Sequence, residues 1–109
     1  MDTIPDVSAR TLVRNPDVRV EMVAGNALLR RRRFGPVRAS IARVFRLSPD
    51  FTVQLDALGT AAWDLVDGRR KVREIREELQ RRFPTEVDLA HRMGRFVGAL
   101  VSKRMLRLE

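Results

Sequence analysis

Apolar and polar positions alternate in two short stretches of this chain and then recur at helical spacing through its second half. Residues 18–23 place Val18, Val20 and Met22 between charged positions, the period-two pattern of a half-buried strand. Ala24-Gly25-Asn26 supplies turn residues, and residues 27–31 can return as a second strand to make a hairpin. Phe34-Gly35-Pro36 breaks it. Residues 37–47 read as a short amphipathic helix, with Val37, Ile41, Val44 and Phe45 on one face and Arg38, Arg43 and Arg46 elsewhere. Pro49 stops that helix, and residues 51–55 alternate again as a third strand.

Helical signals follow. Asp56 is an N-cap candidate ahead of Leu58, Ala62, Leu65 and Val66 at core spacing, and Asp67-Gly68 is a stop. A second helix is predicted over 72–83, with Val72, Ile75 and Leu79 inward. After Pro84, Thr85 and Asp88 stand at the spacing of a capping box for a third helix. Its apolar stripe is Leu89, Met93, Phe96, Val97, Leu100 and Val101. Residues 106–108 close as a short strand. The order predicts an α+β fold, a three-stranded antiparallel sheet followed by three helices, winged-helix-like in layout. Residues 1–17 lack periodicity and are expected as a flexible N-terminal tail ahead of a domain over 18–109.

Composition narrows the function. A chain of 109 residues makes one domain, with 44% hydrophobic and 33% charged residues. No apolar run approaches the roughly 20 residues of a membrane span. The acidic N-terminal stretch has no apolar segment of the secretory type, so a cytoplasmic location is expected. The absence of cysteine excludes disulfides, thiolate nucleophiles and cysteine metal sites. The net charge of +8 is local rather than general. Between Met22 and Pro49 seven arginines stand without an acid, while the remainder holds fifteen bases against fourteen acids.

The residues for catalysis are missing. His91 is the sole histidine and has no evident carboxylate partner in the pattern; no glycine-rich phosphate loop, HExxH or nucleophile elbow occurs. No catalytic residue, metal ligand or cofactor is therefore expected. The run Arg30–Arg33 suits phosphate, an anionic surface or an acidic peptide, against the alternative of a solvated strand end with aliphatic stems over apolar surface. The basic stretch 37–47 either packs on the domain as an insertion or lies on a membrane surface, and its single aromatic favours packing. A third reading makes the chain a scaffold or regulatory subunit that docks through the arginine-rich insertion. A nucleic-acid-binding winged helix is the alternative function, but Glu74, Glu77 and Glu78 offset the arginines of the second helix.

The third helix carries Ala90, Gly94, Gly98 and Ser102 at every fourth position. Two helical glycines cost roughly 1 kcal/mol each against alanine. Either a second helix packs closely on this track, or an extended peptide approaches it, flanked by Arg92, Arg95 and Lys103. If the third strand is a sheet edge, a peptide can add to it, and Thr52 and Gln54 would point away from a core formed by Phe51, Val53 and Leu55.

The stretch Leu55-Asp56-Ala57-Leu58-Gly59-Thr60-Ala61-Ala62-Trp63-Asp64-Leu65-Val66-Asp67-Gly68 resembles the PqqD-like family. The match continues through Val72, Ile75, Leu79, Phe83-Pro84, Phe96, Leu100 and Met105-Leu106, covering about residues 17–109. The resemblance implies a non-enzymatic peptide chaperone, a recognition element for ribosomally made, modified peptides. Such proteins bind the leader of a precursor peptide as an added strand between the third strand and third helix. They present it to a modifying enzyme, often a radical SAM protein, as in pyrroloquinoline quinone biosynthesis. By position, the resemblance implies peptide-binding residues Thr52, Val53 and Gln54 on the strand and Arg92, Arg95, Ala99 and Lys103 on the helix. Two departures stand out. Lys71 occupies the place of a usual threonine cap of the second helix, and residues 34–49 look like a basic insertion.

Overall fold

The computed structural model describes residues 7–32 and 50–109. After a 3-10 turn at Val7–Ala9 come strands β1 (Leu12–Arg14), β2 (Arg19–Val23), β3 (Asn26–Arg32) and β4 (Asp50–Gln54). Helices α1 (Ala57–Leu65), α2 (Val72–Arg82) and α3 (Leu89–Ser102) follow, and β5 (Leu106–Leu108) ends the chain. The fold is α+β, with β2, β3 and β4 in an antiparallel sheet in that order. The insertion expected over 34–49 and the amphipathic helix read over 37–47 lie outside the described residues.

The β2–β3 hairpin turns on Ala24 and Gly25, both left-handed at φ 54° and 84°, so that Val23 faces Asn26 across a two-residue loop. β2 departs from the half-buried strand expected of it. All five of its residues are exposed, with Val20 at 47% and Met22 at 62%. The reason is position: β2 is the outer strand, next to a β3 whose Ala27 and Leu29 are buried. Alternation gives a strand two faces but cannot say whether a helix covers either one.

The expected N-terminal tail is corrected for residues 7–17. β1 pairs antiparallel with β5, Val13 facing Arg107, and Leu12 is wholly buried. Backbone bonds extend the ladder from Thr11 to Glu109 in both directions, and Val72 N–H donates to the Arg10 carbonyl. The Arg14 guanidinium donates to the Trp63 carbonyl and lies 4.8 Å from the centroid of its ring. Three residues of strand have too little periodicity to be read locally. Their partners lie at the far end of the chain.

The core is formed by the predicted helical stripes: Leu58, Ala62, Leu65 and Val66; Val72, Ile75 and Leu79; Leu89, Met93, Val97 and Leu100. α1 begins as its sequence predicts, with Asp56 Oδ1 accepting the Gly59 N–H at 2.7 Å. It ends at Leu65, after which Asp67 Oδ1 accepts the N–H groups of Arg69 and Arg70, and Gly68 takes φ 81°. Those two bonds hold the Asp67 carboxyl below its ordinary pKa. At the start of α2, Lys71 offers no acceptor, and capping comes from the other side through Glu74, whose Oε1 takes the Lys71 N–H at 2.8 Å. The Thr85–Asp88 capping box does not form. α3 is capped by Asp88, whose side chain makes no capping bond.

Candidate peptide groove

Among the described residues β4 is an edge strand, which the sequence could not establish. Leu55 N–H donates to the Ala27 carbonyl at 2.8 Å, so in the antiparallel ladder Phe51, Val53 and Leu55 turn their backbone groups toward β3. The N–H and C=O groups of Thr52 and Gln54 accordingly point to the open side. Side chains alternate as predicted: Thr52 and Gln54 are exposed, while Phe51, Val53 and Leu55 face the core.

Beyond that edge lies a groove of about 430 Å³ between the end of β4, the start of α1 and one face of α3. Leu55, Leu58, Ala62, Leu79, Met93 and Phe96 give it an apolar floor. Gly59 fits the wall because a β-carbon there would stand 3.2 Å from Asp56 Oδ1 and 3.3 Å from Leu55 Cβ, closer than ordinary contact. Thr60 anchors α1 to the sheet, its hydroxyl accepting the Ala27 N–H at 2.9 Å.

The seven residues singled out in the sequence divide into two groups. Gln54, Arg92, Arg95 and Ala99 line the groove. Thr52 and Val53 lie along the same strand and Lys103 one helical turn past Ala99, outside its lining. Gln54 Nε2 donates to the carbonyls of Ala27 and Leu55, each at 3.2 Å, so its side chain is held against the backbone of both β3 and its own strand's end. Arg92 is already engaged, with Nη2 donating to Asp56 Oδ2 at 2.6 Å and Nη1 to Glu86. It ties the start of α3 to the start of α1 and closes one end of the groove. Arg95 is exposed and makes no ion pair among the described residues. At the other end, Arg31 Nε donates to the Lys103 carbonyl at 2.8 Å, and its guanidinium lies 5.1 Å from the Phe51 ring centroid.

The floor residues escaped notice as site residues because their spacing reads only as core. Glu86 gave no signal, since its partner Arg92 meets it only through the turn between α2 and α3.

The Ala90–Ser102 track does not face β4, contrary to the groove anticipated for it. At about 100° per residue, Ala90 and Gly94 lie roughly opposite Arg92 and Ala99 on α3, and Gly98 stands about 100–120° from them. They open on a second groove of about 490 Å³ with Val7, Val72 and Val97. Among the described residues a β-carbon at Gly94 or Gly98 would meet nothing within 4 Å, so no described helix packs closely there. Among the described residues no cluster of three or more potential metal ligands occurs, and no helix is long and apolar enough to cross a membrane.

A family model described as Coenzyme PQQ synthesis protein D (PqqD) matches residues 43–106, more than half of the chain. The chain belongs to the PqqD family. No curated protein and no solved structure matches it. The matched span takes in β4, all three helices and the groove between β4 and α3. Membership fits a peptide-binding chaperone role in the biosynthesis of pyrroloquinoline quinone or of other ribosomally made, modified peptides. It implies a precursor peptide and a modifying enzyme as partners, and members of the family are non-catalytic accessory proteins.

Proposed function

We propose that this PqqD-family chain binds the leader of a ribosomal precursor peptide as a fourth strand on β4 and presents it to a modifying enzyme of the radical SAM type, with no chemistry of its own. The observation that carries the reading is the open edge of β4. Its outward backbone groups at Thr52 and Gln54 lead along the strand into a groove, lined by Gln54, with an apolar floor and a wall of α3. An added strand satisfies the edge and sends alternate side chains into the groove, gaining affinity from main-chain bonds and selectivity from the pocket. Of the residues expected to bind, Thr52 and Gln54 offer backbone, Ala99 offers room, and Arg95 and Lys103 offer charge. Arg92 holds the groove in shape, and Val53 packs inward. The basic insertion over 34–49 has no part in this reading.

The test is a titration of isotope-labelled protein with an acidic leader peptide encoded beside its gene. Amide shifts should concentrate in residues 51–55 and 88–104, and Ala99→Trp should abolish them without altering the circular dichroism spectrum. A bound leader that leaves both segments unmoved overturns the proposal. Nothing among the described residues favours duplex DNA instead. On α2 the Arg81 and Arg82 guanidiniums are both taken by Glu78.

A further inference from the structure

The two ends of the β4–α3 groove differ in charge. Where α3 begins, Asp56 and Glu86 share the single guanidinium of Arg92, so the carboxylates there are in excess. Asp88, the exposed N-cap, adds a third acid one turn before Arg92. Where α3 ends, no acid balances Lys103, whose ammonium makes no ion pair among the described residues. Its carbonyl is held by Arg31, which brings that end of α3 against the start of β4. Arg95, which makes no ion pair among the described residues, lies on the rim between the two ends, about 4.5 Å along the axis from Arg92.

Helix and strand spacings agree along this wall. Arg92, Ala99 and Lys103 share one face of α3, since eleven residues bring the helix back to within about 20° of its starting direction. Lys103 stands four residues past Ala99, about 6 Å along the axis. Two residues of an extended strand cover about 6.7 Å and put both side chains on one face. A side chain in the groove at the level of Phe96 and Ala99 therefore has its second neighbour opposite Lys103. In the other direction its second neighbour stops about 4 Å short of Arg92 along the axis, level with Arg95, so a long side chain is needed to reach Asp56 and Glu86.

Resting on the strand-addition reading, we propose that the groove selects the order of charge in the added strand. The selected segment holds an apolar residue in the groove, an acidic residue two positions after it at Lys103, and a basic residue two positions before it near Asp56 and Glu86. The direction follows from the sheet. Every pairing in it is antiparallel, and an antiparallel partner is slightly more stable per residue. Since β4 runs from the Lys103 end toward Asp56, an antiparallel strand runs from Asp56 toward Lys103.

Two isomeric peptides test this, both acetylated and amidated and flanked by threonines. One carries Lys-Thr-Leu-Thr-Glu and the other Glu-Thr-Leu-Thr-Lys. At low salt the first should bind three- to tenfold more tightly, by amide shifts in residues 51–55 and 92–103. The ratio should shrink as salt rises, because the rim charges are exposed. Lys103→Glu should erase or invert the preference, and Lys103→Gln should reduce it. Equal affinities, with shifts still in residues 51–55, overturn charge selection and leave strand addition standing. Failure of both peptides to bind at β4 overturns the two together.

Discussion

Replacing Asp56 with alanine separates two kinds of interaction at the groove entrance. The carboxylate does two things at once: Oδ1 accepts the Gly59 N–H at 2.7 Å, and Oδ2 meets the Arg92 guanidinium at 2.6 Å. Loss of an N-cap costs about 1 kcal/mol, within a range of about 0.5–2. The ion pair is partly exposed, 37% on the arginine and 62% on the aspartate, so its loss adds only about 0.2–1 kcal/mol. Asp56→Ala should thus destabilise the domain by about 1.5 kcal/mol, or roughly 8 °C in Tm for a domain near this size. Asp56→Asn keeps an acceptor for Gly59 and loses only the charge, so it should cost about 0.5 kcal/mol. Urea unfolding followed by the fluorescence of Trp63, the sole tryptophan and 3% exposed, reads both variants. The denaturant slope should stay unchanged. If the asparagine variant is as damaged as the alanine variant, the cap is not the dominant contribution and the reasoning fails. Adding Arg92→Ala completes a cycle whose coupling to Asp56 should stay below about 1 kcal/mol.

Three further outcomes follow from local geometry. Gly94→Ala and Gly98→Ala should each raise stability by about 0.5–1 kcal/mol, since the new methyl meets open space and the helix gains propensity; a loss in urea unfolding would mean that the track is closely packed. Arg104 holds φ 56° just past α3, where Met105 N–H reaches back to the Leu100 carbonyl at 2.8 Å, so Arg104→Gly should raise Tm by a few degrees by relieving a left-handed residue. Asp67 and Glu78 have lowered carboxyl pKa values, Asp67 chiefly through the Arg70 and Arg69 N–H groups and Glu78 through the Arg81 and Arg82 side chains. A depressed acid stabilises the fold above its unfolded pKa, and that contribution is lost as pH falls through the folded value. Melting temperature should therefore decline below about pH 4, and Asp67→Asn should make that acid limb shallower.

Much of the helical half was legible in the sequence because a helix with one buried face repeats its core positions at 3.6-residue spacing. Leu58, Ile75, Leu79, Met93 and Leu100 all sit where that spacing places them. The Asp56 cap and the place of the hairpin turn, though not its two-residue length, were legible for a related reason, since each depends on neighbours within four residues. Strand faces in β4 were also set locally by period two.

What only the tertiary structure decided was which faces and edges remain open. Leu12 reads as an isolated apolar residue until Leu106–Leu108 returns beside it from nearly a hundred positions away. Val20 and Met22 carry an alternation that promises burial, yet the sheet order leaves β2 outermost. The small-residue track was visible as a pattern, but which way it faced depended on how α3 sits on the rest of the core. Arg92, marked as a binding residue, lines the groove with its guanidinium held by Asp56 and Glu86. Sequence periodicity fixes which side chains an element can bury. Whether an edge is free, a groove open or a charge already matched depends on contacts between elements distant in the chain, and no local pattern encodes those.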